Sequence, residues 1–90
     1  DAVGRWWNRQ GVEIDVVARS GTGTEAFFGE CRLSAGKVDR ALLHGLRQKA
    51  AQVPWARTVK KAHYGAFTIG RVSPTSRADA RTLDIALWEL

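Results

Sequence analysis

Ninety residues, 44% of them apolar and 26% charged, are room for one small globular domain, and they exclude a multi-domain chain, a disordered tail and a coiled coil. No apolar run approaches the roughly 20 residues that span a bilayer, and the first residues lack the cationic-then-apolar layout of a signal peptide, so the expectation is a cytoplasmic chain with no membrane partner. Fourteen Lys and Arg against nine Asp and Glu leave a net charge of +5, which favours a polyanion such as nucleic acid but is equally at home in a small basic domain with no such partner.

Cys31 is the single cysteine, so neither an internal disulfide nor a multi-thiolate zinc site can form, in keeping with a reducing compartment. Methionine is absent even at position 1, and the chain therefore reads as one domain cut from a longer protein.

Arg5 to Asn8 is short and aromatic and reads as a first strand, closed by a turn at Gly11. Val12 to Arg19 follows with Ile14, Val16 and Val17, a β-branched run suited to a pleated backbone. A Gly-rich turn, Ser20 to Gly23, leads into a third strand, Thr24 to Leu33, completing an antiparallel meander. From Ala35 the period changes: Val38, Leu42, Leu46 and Val53 follow helical spacing, with Ser34 as the expected cap and Pro54 as the stop. Ala62 to Ile69 reads as a fourth strand, returning parallel to the third through a right-handed crossover. Gly70 to Ala80 reads as loop or at most one helical turn, and Leu83 to Leu87 as a short last strand. The fold class is therefore α/β, with a mixed sheet and a crossover helix on one face.

The meander carries the chemistry. With a two-residue loop at Thr22 and Gly23, opposed residues on the two strands have numbers summing to 45, so Asp15 faces Glu30 and Glu13 faces Arg32 on one side of the hairpin. Like charges directly opposite each other destabilise a sheet, and a divalent cation resolves the conflict, since Mg²⁺ binds through one or two carboxylates and shares its other positions with water and phosphate oxygens. The competing reading is a solvated strand face on which Glu13 pairs with Arg32 and Asp15 leans toward a neighbouring Arg. Lys37, Arg40, His44 and Arg47 fall on one helical stripe, either a track for a phosphate backbone or a solvated face. Of Trp6 and Trp7, alternation sends one to the core and leaves the other for an upstream helix or a partner chain. His44 and His63 have no metal-ligand spacing, and the glycines at 21 and 23 sit in a hairpin and do not make a phosphate loop.

Three spaced blocks also carry a resemblance: Gly4-Arg5-Trp6-Trp7-Asn8-Arg9, then Gly11-Val12-Glu13-Ile14-Asp15-Val16-Val17-Ala18, then Phe28-Gly29-Glu30-Cys31-Arg32-Leu33-Ser34. Together they resemble the restriction-endonuclease-like PD-(D/E)XK superfamily, whose signature is an acid on one strand followed by (D/E)-x-K on the next. More narrowly they resemble the C-terminal domain that follows AAA-type ATPase modules in archaea and bacteria, whose segments read W-W-x-R-x-x-x-E-I-D and G-E-C-K-W. The resemblance implies a restriction-endonuclease-like sheet whose first helix is missing from this segment. It implies an Mg²⁺ or Mn²⁺ cofactor on Asp15 and Glu30, the lysine role on Arg32, and an extra acid at Glu13. The partners implied are nucleic acid, most naturally DNA, and an ATPase module in the same longer chain; separately, exposed Trp residues leave a homo-oligomer, in a structural interaction domain, as a further option. Arginine at position 32 keeps the charge but stays protonated, so it serves as an electrostatic stabiliser and not as a general base. The expected activity is therefore metal-dependent phosphodiester hydrolysis, with a catalytically degenerate module for DNA binding or protein assembly as the alternative.

Overall fold

The computed structural model describes residues 2–90. Five strands, β1 (Ala2–Trp7), β2 (Glu13–Arg19), β3 (Glu25–Arg32), β4 (Lys61–Thr68) and β5 (Ile85–Glu89), form one sheet in the order β1-β2-β3-β4-β5. The first three are antiparallel neighbours, and β3, β4 and β5 run parallel. Helix α1 (Arg40–Ala50) connects β3 to β4, and α2 (Pro74–Thr82) connects β4 to β5. Both crossovers advance the sheet in the same direction, so right-handed connections put both helices on one face, where α1 packs on β2, β3 and β4 and α2 on β5. The α/β class, the meander and the parallel return agree with the sequence reading.

Local chemistry explains where that reading had to be corrected. The segment from Ala35 to Val53 is not one helix: Ala35–Lys37 is a 3₁₀ turn, Val38 leaves helical geometry at ψ 81°, and α1 starts afresh behind Asp39. Asp39 is the cap, its Oδ1 accepting from the Leu42 amide at 3.0 Å, whereas Ser34 makes no side-chain cap bond. A further 3₁₀ turn, Pro54–Thr58, precedes β4. The stretch expected to be loop contains α2, with Pro74 in its first turn and Ser73 Oγ accepting from the Ser76 amide. Only Ala80 of α2 is buried, so the helix has no apolar stripe to read. Leu83 and Asp84 close α2, with Asp84 at φ 57°, which moves the last strand two residues along to Ile85–Glu89.

The helix-covered face holds the core: Ile14, Val17, Phe28, Leu43, Leu46, Val53, Ala66 and Ile85 are buried there. Phe28 stacks between Trp55 and Tyr64, with ring centroids 5.8 Å away on each side. Trp6 packs against this core and Trp7 is exposed, as alternation requires. The opposite face has no helix among the described residues, and Phe27, Phe67 and Trp88 cover its centre themselves, Phe67 and Trp88 stacking at 4.7 Å. Gly29 and Gly65, paired across β3 and β4, let those rings lie down: a Cβ on Gly29 would come within 2.7 Å of Phe27 Cε2, and one on Gly65 would collide with Trp88 and Phe27.

Candidate active site

The β2–β3 hairpin sets the register that the site needs. Val16 opposes Gly29, Val17 opposes Phe28, and Arg19 opposes Ala26, each pair summing to 45. The turn is longer than expected, with Ser20 and Glu25 closing residues 21–24 and Gly23 at φ 73°, but a loop lengthened equally on both sides leaves the sum unchanged. On the other side of β2, Gly4 opposes Val17 and Trp6 opposes Ile14, so one residue, Arg5, faces two, Asp15 and Val16. This is a β-bulge, which inserts a residue and turns a side chain out of strict alternation. Ile14 and Val17 both face the core despite their odd spacing, and Asp15, inside the bulge, swings toward β3.

There the Asp15 side chain takes the place of a ladder bond. Its Oδ2 accepts from the Cys31 amide at 3.0 Å and from Arg32 Nη1 at 3.0 Å. Glu30, next to Phe28 on the core side of β3, is 2% exposed. Its Oε2 lies 3.5 Å from the same Arg32 nitrogen, and its Oε1 accepts from Lys49 Nζ on α1 at 3.0 Å. Arg32 Nη1 also donates to the Cys31 carbonyl at 2.8 Å. Two carboxylates, a carbonyl, a guanidinium and an ammonium thus meet at the end of the sheet. Thr68, the register partner of Arg32 on β4, is buried beside them, and its hydroxyl has no hydrogen-bond partner among the described residues.

The two acids are driven apart in proton affinity. Burial pushes the Asp15 carboxyl up, but the Cys31 amide, Glu30 and Arg32 outweigh it and hold the group below the ordinary value. Burial, reinforced by Asp15, raises Glu30 against the opposing pull of Lys49. Burial and the two carboxylates also raise the Cys31 thiol.

The remaining sequence-derived candidates fare differently. Glu13 pairs with Trp7 next to core-facing Ile14 and therefore points from the opposite face of the sheet; it makes no ion pair with Arg32. Counting by twos across the bulge put it on the wrong side. The basic stripe is broken as well. Lys37 stands on the separate 3₁₀ turn, and Arg47 lies 4.0 Å over the Tyr64 ring while donating to the Leu83 carbonyl, a tie between α1, β4 and the end of α2. Arg40 and His44 remain as exposed groups on α1. Lys49 is the residue that the sequence reading missed. Its signal was position: it follows buried Leu46 by three residues and precedes buried Ala50, so it sits at the margin of the apolar stripe, where a lysine reaches inward along the sheet.

The donor set fits a small divalent cation. Asp15 Oδ2, Glu30 Oε2 and the Cys31 carbonyl oxygen all lie within 3.5 Å of one atom, Arg32 Nη1. Hard oxygen donors with two carboxylates suit Mg²⁺ or Mn²⁺, which leave further positions to water and phosphate. No group of three or more His, Cys, Asp or Glu gathers among the described residues, so any such site relies on the backbone oxygen as its third donor. No helix among the described residues is long and apolar enough to cross a membrane.

No curated protein and no solved structure matches the chain. The model of one family, DUF234, described as archaea bacterial proteins of unknown function, matches residues 1–51, the stretch that holds β1 to β3, α1 and all four of Asp15, Glu30, Arg32 and Lys49, and the chain belongs to that family.

Proposed function

We propose that this domain is a metal-dependent hydrolase of phosphodiester bonds in nucleic acid, of restriction-endonuclease-like fold, working beside an ATPase module in a longer chain. The observation that carries the reading is the convergence of Asp15, Glu30 and the Cys31 carbonyl on one cation position, with Lys49 alongside. Asp15, Glu30 and the Cys31 carbonyl would hold Mg²⁺ or Mn²⁺, and the bound metal supplies Lewis-acid stabilisation of a phosphoryl oxygen and a more acidic water. The residues of the chain do the rest. Asp15 stays ionised because the Cys31 amide and Arg32 hold it so, which keeps a negative ligand present at neutral pH. Lys49 donates one proton to Glu30 and has two N–H groups left for phosphate oxygens. Arg32 adds positive charge beside them, and the exposed Arg40 and His44 offer a further approach for a polyanion.

A second reading is favoured by the same arginine: a degenerate module that binds DNA, or assembles with partners or a second copy through Trp7 and Trp88, without cleaving. The test is Mn²⁺-dependent cleavage of plasmid and single-stranded DNA by the wild-type protein and by Asp15→Asn, Glu30→Gln and Lys49→Met. The hydrolase reading requires cleavage in the wild type that each substitution lowers at least tenfold. Cleavage that survives Glu30→Gln belongs to another site or a contaminant. Salt-sensitive DNA binding with no cleavage in any form moves the assignment to the degenerate module.

A further inference from the structure

Arg32 does more than stand where the resemblance puts a lysine. A single nitrogen, Nη1, is shared among the Cys31 carbonyl at 2.8 Å, Asp15 Oδ2 at 3.0 Å and Glu30 Oε2 at 3.5 Å. That nitrogen occupies the point where three oxygen donors meet. Those separations suit an N–H donor, and they are wider than the roughly 2.0–2.1 Å that Mg²⁺ requires of its oxygen ligands. A divalent ion and this guanidinium cannot occupy the point together. The charges say the same. Two carboxylates face two cations, Arg32 and Lys49, so a further double charge would leave the cluster strongly positive.

The two cations are not equivalent. Lys49 grips Oε1, the oxygen of Glu30 that does not face Arg32, and so does not stand in the way. The Arg32 side chain is 36% exposed at the sheet end, so it has a route to water that the buried carboxyl of Glu30 lacks. We propose that Arg32 is the resident cation of the site, and that a divalent ion binds only by displacing its guanidinium toward solvent, where it becomes free to meet a phosphate. This inference rests on the metal-site reading above and adds to it a built-in competitor that keeps metal affinity low until the arginine finds another anion. A substrate phosphate, by drawing the guanidinium away, would make metal and nucleic acid bind cooperatively.

The test is calorimetric titration of Mn²⁺ into the wild-type protein, Arg32→Gln and the double variant Arg32→Gln/Asp15→Asn, with thermal melts to verify folding. The expected result is Mn²⁺ affinity at least tenfold tighter in Arg32→Gln than in the wild type, abolished in the double variant. Equal or weaker affinity in a folded Arg32→Gln overturns the inference. Because that substitution leaves two acids facing each other without the arginine between them, the wild type is also followed by NMR. Mg²⁺ should move the Arg32 side-chain N–H signals toward free-guanidinium shifts and exchange rates, and unchanged signals at saturating Mg²⁺ overturn the inference. Tighter Mn²⁺ binding in Arg32→Gln with no cleavage in any form keeps the resident arginine and removes the hydrolase. Wild-type cleavage without an affinity gain keeps the hydrolase and removes the resident arginine.

Discussion

The two faces of the sheet are built on opposite plans. On the helix side, side chains from β2 to β5 interlock with α1 and α2, and both the Asp15–Glu30–Arg32–Lys49 cluster and the Arg77–Glu89 pair sit at the margin of that core. On the other side the strands are covered only by their own aromatics, Phe27, Phe67 and Trp88 lying over two glycines, while Val3 and Trp7 remain largely exposed. Parallel strands are ordinarily covered on both faces because their crossovers supply helices. Here both crossovers deliver to the same side, so the difference follows from strand order and not from composition. The buried glutamate lies on the face where a helix can bring it a lysine, whereas the Glu25–His63 pair of the bare face is exposed. The bare face offers no such partner to Glu13.

The comparison predicts a graded response to substitution. Phe28→Ala, on the covered face between two rings, should destabilise by about 3–5 kcal/mol in chemical denaturation, the range for emptying a buried aromatic site. Phe67→Ala on the bare face should cost less than half as much, and an equal cost would mean that the bare face is packed as a second core. Gly65→Ala comes next at about 1–3 kcal/mol, since the added methyl must push Trp88 and Phe27 off the sheet. A neutral result would show that the rings move freely.

Lys49→Met should cost about 1–2 kcal/mol at neutral pH, below the figure for a fully buried pair because the lysine is one-third exposed. Its pH signature is more telling. Glu30 has a native proton affinity above its unfolded one, so the native state binds more protons and wild-type stability falls as pH rises from the ordinary carboxylate value toward the raised one. Asp15 works in the other direction, its contribution present above the unfolded value and lost as pH falls through the depressed native one. Losing Lys49 should steepen the Glu30 decline, and Glu30→Gln should abolish it. Stability curves that keep the same slope in both variants would place the titrating group elsewhere. The smallest effect belongs to Glu13→Gln, within about 0.5 kcal/mol in stability and with no change in Mn²⁺ affinity, as for a surface group away from the site. A loss of Mn²⁺ binding there would return Glu13 to the cluster.

Local patterns carried a good part of this molecule. The β-branched run around Ile14 to Val17, the Gly-rich turn and the change to helical spacing were enough for the hairpin, its register and the parallel return, and that register pointed to Asp15 beside Glu30, although the bulge at Asp15 sets how its side chain reaches β3. Helix α2 escaped because one buried alanine leaves no periodic trace, although Ser73 and Pro74 announced its start. Glu13 was misplaced because strict alternation was carried through a bulge that only the pairing with β1 reveals.

By itself the chain determined the things that depend on neighbours along it: which segments are extended, where Pro and Gly break them, and which acids a hairpin must oppose. Tertiary structure decided the rest, because Lys49 meets Glu30 only when α1 docks on β3, and Arg32 becomes a shared cation only when the bulge aims Asp15 across the strand. Those contacts join residues 17 and 19 positions apart. No local rule contains them, since the free energy that holds them comes from burying the core beneath the helices and not from the backbone preferences of either segment.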